Sequence, residues 1–333
     1  MEVSFQEAVS SLYKYKDKIN VIPCIDPQYL VIDSKRDSSL IPVFFTYEDE
    51  DGFFYHGFHK AIIPDTHFYD IQSPYGYGGP IASSNDEAFL HRAWDAYRSY
   101  CKEHNVIVEF IRFHPLLENW KYHQGDVYHN RETVWIDLKV DDLIASYNEN
   151  RVRTAVRKGI KNNVQITFYE PQNFLQVFKQ LYYESMERLK TNSFYLFNDD
   201  YLNALCAWEN AWLIVATHEE IVASVLIALV KGGILELHLF GSSEQSKKSC
   251  ATNLIYHETF VRAKTNGCHT VHFGGGTSDD LNDPLLFFKL GYSNKKAQYK
   301  IGKYVHNHDI YCHLTNQWEK NTGKKPTRIL FYR

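Results

Sequence analysis

Five cations lie on one predicted helix, residues 141–161, although the protein as a whole carries a formal net charge of -4. They are Arg151, Arg153, Arg157, Lys158 and Lys161. Lys and Arg bind phosphates with little sequence dependence, so this helix is a candidate for holding a tRNA acceptor stem, a nucleotide-sugar diphosphate or coenzyme A. The alternative is a solvated helix face, the usual role of a charge run.

A loop rich in glycine and tyrosine is the second candidate. Tyr75, Gly76 and Tyr77 lie in the segment PYGYGGP, where glycine admits a ligand close to the backbone and tyrosine supplies hydroxyl groups. A tight turn with buried rings would have the same composition. Arg112 and His114 follow a predicted strand end. Arg112 could hold a phosphate or carboxylate and His114 could act as a base, although a histidine before proline is more often structural.

Three consecutive glycines, Gly274, Gly275 and Gly276, follow another predicted strand. They would allow either an anion-binding nest or a sharp turn. The sequence holds 16 histidines, including His306 and His308, but no carboxylate or cysteine completes a recognisable metal pattern beside them. No metal site is predicted, and the Walker, Rossmann and G-x-S-x-G fingerprints are absent.

Composition limits the class of protein. A chain of 333 residues with 44% hydrophobic residues fits two domains of about 150 residues each. A pI near 6.5 means that nucleic acid would need a local basic patch. The six cysteines form no C-x-x-C pair and the first residues lack a signal-peptide pattern, so we expect a soluble cytoplasmic protein whose membrane contacts would be peripheral.

The second half of the chain contains the elements that would position these groups. An antiparallel meander, a long helix, a strand, the glycine break, a short helix and a last strand are predicted in that order. Their residues are 212–216, 221–230 and 234–240, then 248–266, 270–273, 284–290 and 297–305.

The first half repeats this order. A hairpin is predicted over 40–47 and 53–58, followed by a helix over 86–104 and strands over 106–110 and 133–138. We therefore place one domain at residues 1–140, which the segment 311–333 could join, and a second at residues 141–310. No Pro-rich or low-complexity linker separates them.

This element order is that of the acetyltransferase (GNAT) fold, and an ordered set of motifs resembles one branch of it, the FemABX peptidoglycan-bridge aminoacyltransferases in their compact, armless form. The motifs are DIQSPYGYGGP at 70–80, RFHPL at 112–116, TVWIDL at 133–138, HLFGS at 238–242, FGGG at 273–276 and FFKLGY at 287–292. The resemblance implies an α/β (α+β) protein of two tandem GNAT domains. Each would be a mixed, mostly antiparallel sheet flanked by helices, with the acceptor side first and the donor side second.

The resemblance also assigns chemistry. In the family, the lysine of the F-K motif lies at the reaction centre, which here is Lys289 beside Phe288. A fixed cation there would stabilise the oxyanion formed when an amine attacks an ester or thioester; an ordinary lysine at a helix end is the alternative.

Acetyl-CoA enzymes of this fold carry a glycine loop before the main helix, but residues 243–251 here contain no glycine. This departure favours an aminoacyl-tRNA donor, with no further cofactor. The expected function is aminoacyl transfer to a nucleotide-linked or lipid-linked amine of a peptidoglycan-type precursor, with no stable protein partner implied. The alternatives are an acyl-CoA-dependent N-acetyltransferase acting on an amino sugar or small amine, and a non-catalytic binding module.

Overall fold

The computed structural model describes residues 1–169, 171–280 and 282–333. The chain forms two compact units, Met1–Asn130 with Tyr299–Arg333, and Arg131–Gln298. The domain boundary predicted at residue 140 lies ten residues beyond the one in the structure, and residues 299–310 belong to the first unit. The reason is that both boundaries between the units lie within strands, where the amino-acid composition does not change.

The strands and helices are numbered separately in chain order. The strands are β1 (Glu2–Val3), β2 (Ile41–Asp49), β3 (Gly52–Ile62), β4 (Tyr69–Gln72), β5 (Ile81–Ala82), β6 (Val106–Arg112), β7 (Asp126–Asp137), β8 (Gln165–Phe168), β9 (Ala211–His218), β10 (Ile221–Lys231), β11 (Ile234–Ser242), β12 (Thr270–Gly275) and β13 (Lys296–Val305). The helices are α1 (Phe5–Lys14), α2 (Pro27–Ser34), α3 (Glu87–Glu103), α4 (Leu143–Ser146), α5 (Asn150–Lys161), α6 (Pro171–Arg188), α7 (Asp199–Cys206), α8 (Gln245–Ser249), α9 (Ala251–Thr265), α10 (Pro284–Leu290) and α11 (His308–Thr322).

The first unit is a mixed sheet in the order β1-β2-β3-β4-β6-β13, with β5 paired to β3. Its pairs are antiparallel except for β4 and β6. Helix α3 begins where the Asp86 carboxylate accepts the N–H of Phe89 at 2.7 Å, and it buries Trp94 and Tyr97 against the sheet. The predicted hairpin and helix are confirmed.

The last residues of the chain also lie in this first unit. Strand β13 pairs with β6 from Ile301 opposite Arg112 onward. At the end of the chain, Arg333 donates to Asp70 at 2.8 Å and to the carbonyl of Ile62 at 2.8 Å. Burial raises the pKa of Asp70 to about 6, and the Arg333 charge opposes that rise.

The second unit has the strand order β7-β12-β11-β10-β9-β8. The meander β9-β10-β11 is antiparallel, as predicted, and β12 joins it in parallel to β11. Helix α9 packs Leu254, Ile255 and Phe260 into the core of this unit. None of the helices in the described part of the chain is both long and apolar enough to cross a membrane.

The prediction of one helix over 141–161 is wrong in its first part. Helices α4 and α5 are separated at Tyr147, whose backbone is extended with φ -62 and ψ 134. Its ring is buried, and its hydroxyl lies 2.8 Å from Nδ1 of His257. The break thus coincides with a buried ring that contacts α9.

The spacing of Val152, Val156 and Ile160 at i, i+4 and i+8 predicts an apolar stripe on α5, and the structure differs from it at Ile160. Val152 and Val156 are buried, but Ile160 is 51% exposed and Gly159 is buried in its place. A Cβ on Gly159 would lie 3.0 Å from Cβ of Leu254, so the missing side chain lets α5 approach α9 closely.

Candidate functional site

Two parallel strands separate in the second unit. Strands β11 and β12 pair only from Ile234 opposite Thr270 to Glu236 opposite His272. Beyond that point β11 continues against β10 up to Ser242, whereas β12 continues against β7 up to Gly275. The divergence opens a gap in the sheet. The glycine turn, residues 274–278, begins in the last two residues of β12.

Lys289 reaches this turn from the last part of α10. Its Nζ donates to the carbonyl of Gly275 at 2.8 Å and lies 5.5 Å from the centre of the Phe273 ring. The residue is half-buried, and desolvation lowers the pKa of its ammonium from 10.5 to about 7, while the charge of Asp283 opposes the shift. Desolvation therefore makes the charged form of this amine less favourable than it is in water.

Phe288 anchors the same helix. Its ring packs against those of Tyr256, Phe273 and Tyr292, with centroid distances of 5.5 to 6.3 Å. Successive residues of a helix point in different directions, so Phe288 faces the core while Lys289 faces the turn.

The glycines of the turn are favoured by backbone conformation or by lack of space. Gly274 has φ +79, and a Cβ there would lie 3.2 Å from Nζ of Lys289. A Cβ on Gly275 would lie 2.8 Å from the carbonyl oxygen of Glu132. Two of the three glycines accept a hydrogen bond from a cation at their carbonyl oxygens: Gly275 from Lys289, and Gly276 from Arg131 at 2.9 Å.

Asp283 closes the turn onto α10, and sequence reasoning missed it. Its carboxylate accepts the N–H groups of Thr277 (2.8 Å), Ser278 (3.2 Å), Leu285 (2.8 Å) and Leu286 (2.9 Å), as well as both hydroxyls. Burial alone would raise the pKa of Asp283, but these hydrogen bonds outweigh it and hold the pKa well below its usual range. Asp followed by Pro at a helix start is a capping signal that could have identified it.

The cations of α5 fall into two groups. Arg151 donates to the carbonyl of Phe287 at 2.7 Å and stacks over its ring at 4.1 Å, and Arg153 donates to the carbonyl of Tyr147. These two arginines therefore hold the protein's own backbone. Three other cations are exposed to solvent, namely Arg157, Lys158 and Lys161.

The segment without glycine, 243–251, forms the short helix α8 rather than an open loop. Cys250 takes a left-handed conformation with φ 61 between α8 and α9. The hydroxyl of Ser246 accepts the N–H of Thr252 at 3.0 Å and lies 2.7 Å from the hydroxyl of Ser224. An N–H at the start of α9 that could bind an anion is thus occupied internally.

In the first unit, the PYGYGGP loop is held by its backbone. Tyr75 donates its N–H to Asp33 at 3.0 Å, and its carbonyl accepts the hydroxyl of Tyr29 at 2.8 Å. The carbonyl of Gly78 accepts from Asn119 at 2.9 Å. Tyr75, Gly76 and Tyr77 remain half-buried, and Gly76 has φ +85.

Arg112 and His114 lie beside this loop. The Arg112 guanidinium stacks over the Phe110 ring at 4.7 Å. The backbone carbonyl of Arg112 accepts the N–H of Gly78 at 2.7 Å. His114 is fully buried, its ring lies edge-on to Tyr77 at 5.3 Å, and its Nδ1 accepts the N–H of Leu116 at 3.3 Å.

Asp33 and Asn119 support the loop, and sequence reasoning missed both. Each lies about 40 residues from the loop positions that it contacts. No short motif links such distant positions.

Comparison with known proteins matches this architecture. Residues 148–283 match the acetyltransferase (GNAT) domain family. The crystal structure of FemX aligns with a TM-score of 0.74 at 14% identity, covering 94% of this chain and 99% of FemX. The chain has a FemABX-like, tandem GNAT fold.

Two further solved structures share the FemABX-like fold. L-PGS from Bacillus licheniformis aligns with a TM-score of 0.60 at 14% identity, covering 95% of this chain and 97% of that one. A tandem GNAT protein from the clavulanic acid biosynthesis pathway aligns with a TM-score of 0.53 at 8% identity, covering 92% and 98%. No protein of curated function matches the sequence significantly.

The FemABX-like fold thus brings the predicted residues together in two groups. Lys289, Phe288 and the three glycines meet in the second unit, which is an acyltransferase domain. The half-buried tyrosines, Arg112 and His114 meet in the first unit.

Proposed function

We propose that this acyltransferase moves an aminoacyl group from aminoacyl-tRNA to a primary amine of a peptidoglycan-type precursor. The observation that supports it most is the amine of Lys289, held 2.8 Å from the carbonyl of Gly275 where β11 and β12 have separated. A fixed cation in a partly desolvated gap is what a developing oxyanion requires.

The chemistry needs little more from the protein. The acceptor amine attacks the ester carbonyl of the donor, a C–N bond forms, and the C–O bond to the ribose breaks. The ammonium of Lys289 stabilises the negative oxygen of the tetrahedral intermediate. The proton released by the acceptor amine passes to the departing ribose oxygen.

The donor assignment rests on the start of α9 and on α5. Residues 243–251 contain no glycine, and Ser246 occupies the N–H of Thr252, so this segment does not offer the open glycine loop that would cradle the pyrophosphate of coenzyme A. Donor phosphates would bind instead to the exposed cations Arg157, Lys158 and Lys161, since Arg151 and Arg153 are engaged with backbone carbonyls.

The acceptor would bind in the first unit. Tyr75 and Tyr77 supply half-buried rings, and Arg112 supplies a guanidinium suited to a phosphate or carboxylate. A nucleotide-linked or lipid-linked amine offers both kinds of group. A lipid-linked acceptor would bring this cytoplasmic enzyme into peripheral contact with a membrane.

A second candidate keeps the fold and changes the donor. The match of residues 148–283 to the acetyltransferase domain favours an acyl-CoA-dependent N-acetyltransferase acting on an amino sugar or small amine.

One experiment separates these functions. The protein is incubated with charged tRNA or with acetyl-CoA, each against UDP-linked and lipid-linked muropeptides, amino sugars and small amines, and acylated products are identified by mass spectrometry. We expect product from charged tRNA with a muropeptide. Saturable turnover of acetyl-CoA with none from tRNA would establish the second candidate. Tight ligand binding without product from any pair would indicate a non-catalytic binding module.

A further inference from the structure

One carboxylate joins the glycine turn to α10. Asp283 precedes the helix and accepts the N–H groups of Leu285 and Leu286 on the helix side, and those of Thr277 and Ser278 on the turn side. A Cβ on Gly276 would lie 2.7 Å from Cγ of Asp283, so the carboxylate packs directly on the turn. The Asp283 side chain therefore joins the start of α10 to the turn.

Lys289 holds the same turn from the other end of α10. Its Nζ contacts the carbonyl of Gly275, and it lies six residues after Asp283, about 9 Å along the helix axis. The short helix α10 thus has a negative side chain at its start and a positive side chain near its end. Both side chains bind the glycine turn.

We propose that Asp283 is a positioning residue for Lys289, which fixes the start of α10 on the glycine turn and places a negative charge before the same short helix. The proposal rests on the proposed function for the role of Lys289, but its central claim concerns the two side chains alone. With six donors around it, the Asp283 carboxylate stays ionised at every pH at which the enzyme would work.

The need for such a charge follows from desolvation. Burial favours the neutral amine of Lys289, and the negative charge of Asp283 opposes it. Other titratable or charged side chains lie on the elements packed against the turn and α10, namely Arg131 and Glu132 on β7, Arg151 on α5, Glu236 on β11 and His272 on β12. Of the carboxylates on these elements, Asp283 is the one whose charge raises the pKa of Lys289, and the arginines oppose the ammonium, so removing Asp283 should lower that pKa further.

Competitive acetylation tests the proposal without any substrate. The whole protein is treated with limiting acetic anhydride from pH 5 to 10, and modification of the Lys289 peptide is quantified by mass spectrometry. We expect the labelling midpoint of Lys289 to fall by about half a pH unit or more in D283N, the scale for a charge about 9 Å away in a protein interior. A midpoint equal to that of the wild type would overturn the proposal.

Two further variants make the result decisive. D142N removes a carboxylate that caps α4 by accepting the N–H of Ala145 at 3.0 Å, and it should leave the Lys289 midpoint unchanged. If D283N does not fold, D283S keeps a capping oxygen while removing the charge, and the same fall is expected. Because labelling reads the amine directly, a failure to find acyl transfer would count against the proposed function and not against this pair.

Discussion

Replacing Lys289 with methionine should change activity and stability in opposite directions. Methionine keeps an unbranched side chain over the Phe273 ring but removes the ammonium and its hydrogen bond to Gly275. Turnover should fall by about 10²-fold or more, the scale for losing an oxyanion contact. Stability should rise, because the folded protein no longer has to bury a charge.

The magnitude follows from the lowered pKa of the lysine. A fall from 10.5 to about 7 corresponds to a penalty of about 5 kcal/mol when the lysine is fully charged. Half-burial and loss of the bond to the Gly275 carbonyl reduce the expected gain to about 2 kcal/mol. Because the folded-state pKa lies below that of the unfolded chain, the penalty is complete below pH 7 and disappears as the pH rises towards 10.5.

Urea denaturation at pH 6, 8 and 10 would measure this gain. K289M should be more stable than the wild type at pH 6, with a difference that shrinks steadily towards pH 10. K295M is a matched control, because Lys295 is an exposed lysine of the same unit that pairs with Asp137 at 2.8 Å, and its loss should change stability by less than about 1 kcal/mol at any pH. A K289M protein that is less stable at pH 6, or near-normal turnover by it, would refute the reasoning.

Three other perturbations test different parts of the site. Changing Arg157, Lys158 and Lys161 together to alanine should reduce the slope of log affinity against log salt for charged tRNA by about 2 to 3, measured between about 50 and 200 mM salt; an unchanged slope would move the phosphate contacts elsewhere. Asn119→Ala leaves the carbonyls of Gly78 and Pro80 and the buried N–H of His114 without their partner. The free energy of unfolding measured in urea should therefore fall by about 2 kcal/mol, and KM for the acceptor should rise more than kcat falls. Gly276→Ala places a Cβ 2.7 Å from Asp283, so turnover in product assays should fall to about one tenth of the wild-type value or below. Full activity would show that the turn can move freely.

Local signals predicted the elements around Lys289 well. Helix α10 was predicted at its observed bounds because Pro284 opens it and Gly291 follows it. The triple glycine was recognisable as a break, and the meander was recognisable from its β-branched runs and polar turns. These features depend on neighbours in the sequence, so the sequence alone was sufficient to find them.

Features set by packing between distant residues could not be predicted from neighbouring residues in the sequence. The break at Tyr147 exists because a buried ring meets His257, which lies 110 residues later. Gly159 replaces Ile160 in the packing of α5 because α9 approaches closely at that point. Asp33 and Asn119 hold the PYGYGGP loop from distant parts of the chain, and both boundaries between the units lie within strands, β7 and β13. Periodicity carries no information about such contacts.

The return of residues 299–333 to the first unit has a consequence for biosynthesis. The second unit is continuous in sequence, so all of it has been synthesised before the ribosome adds the residues that complete the first unit. Until then, β6 lacks its β13 neighbour and Asp70 is without Arg333. The second unit should therefore be able to fold first in the nascent protein, and the first unit should complete its fold only after residues 299–333 have been synthesised.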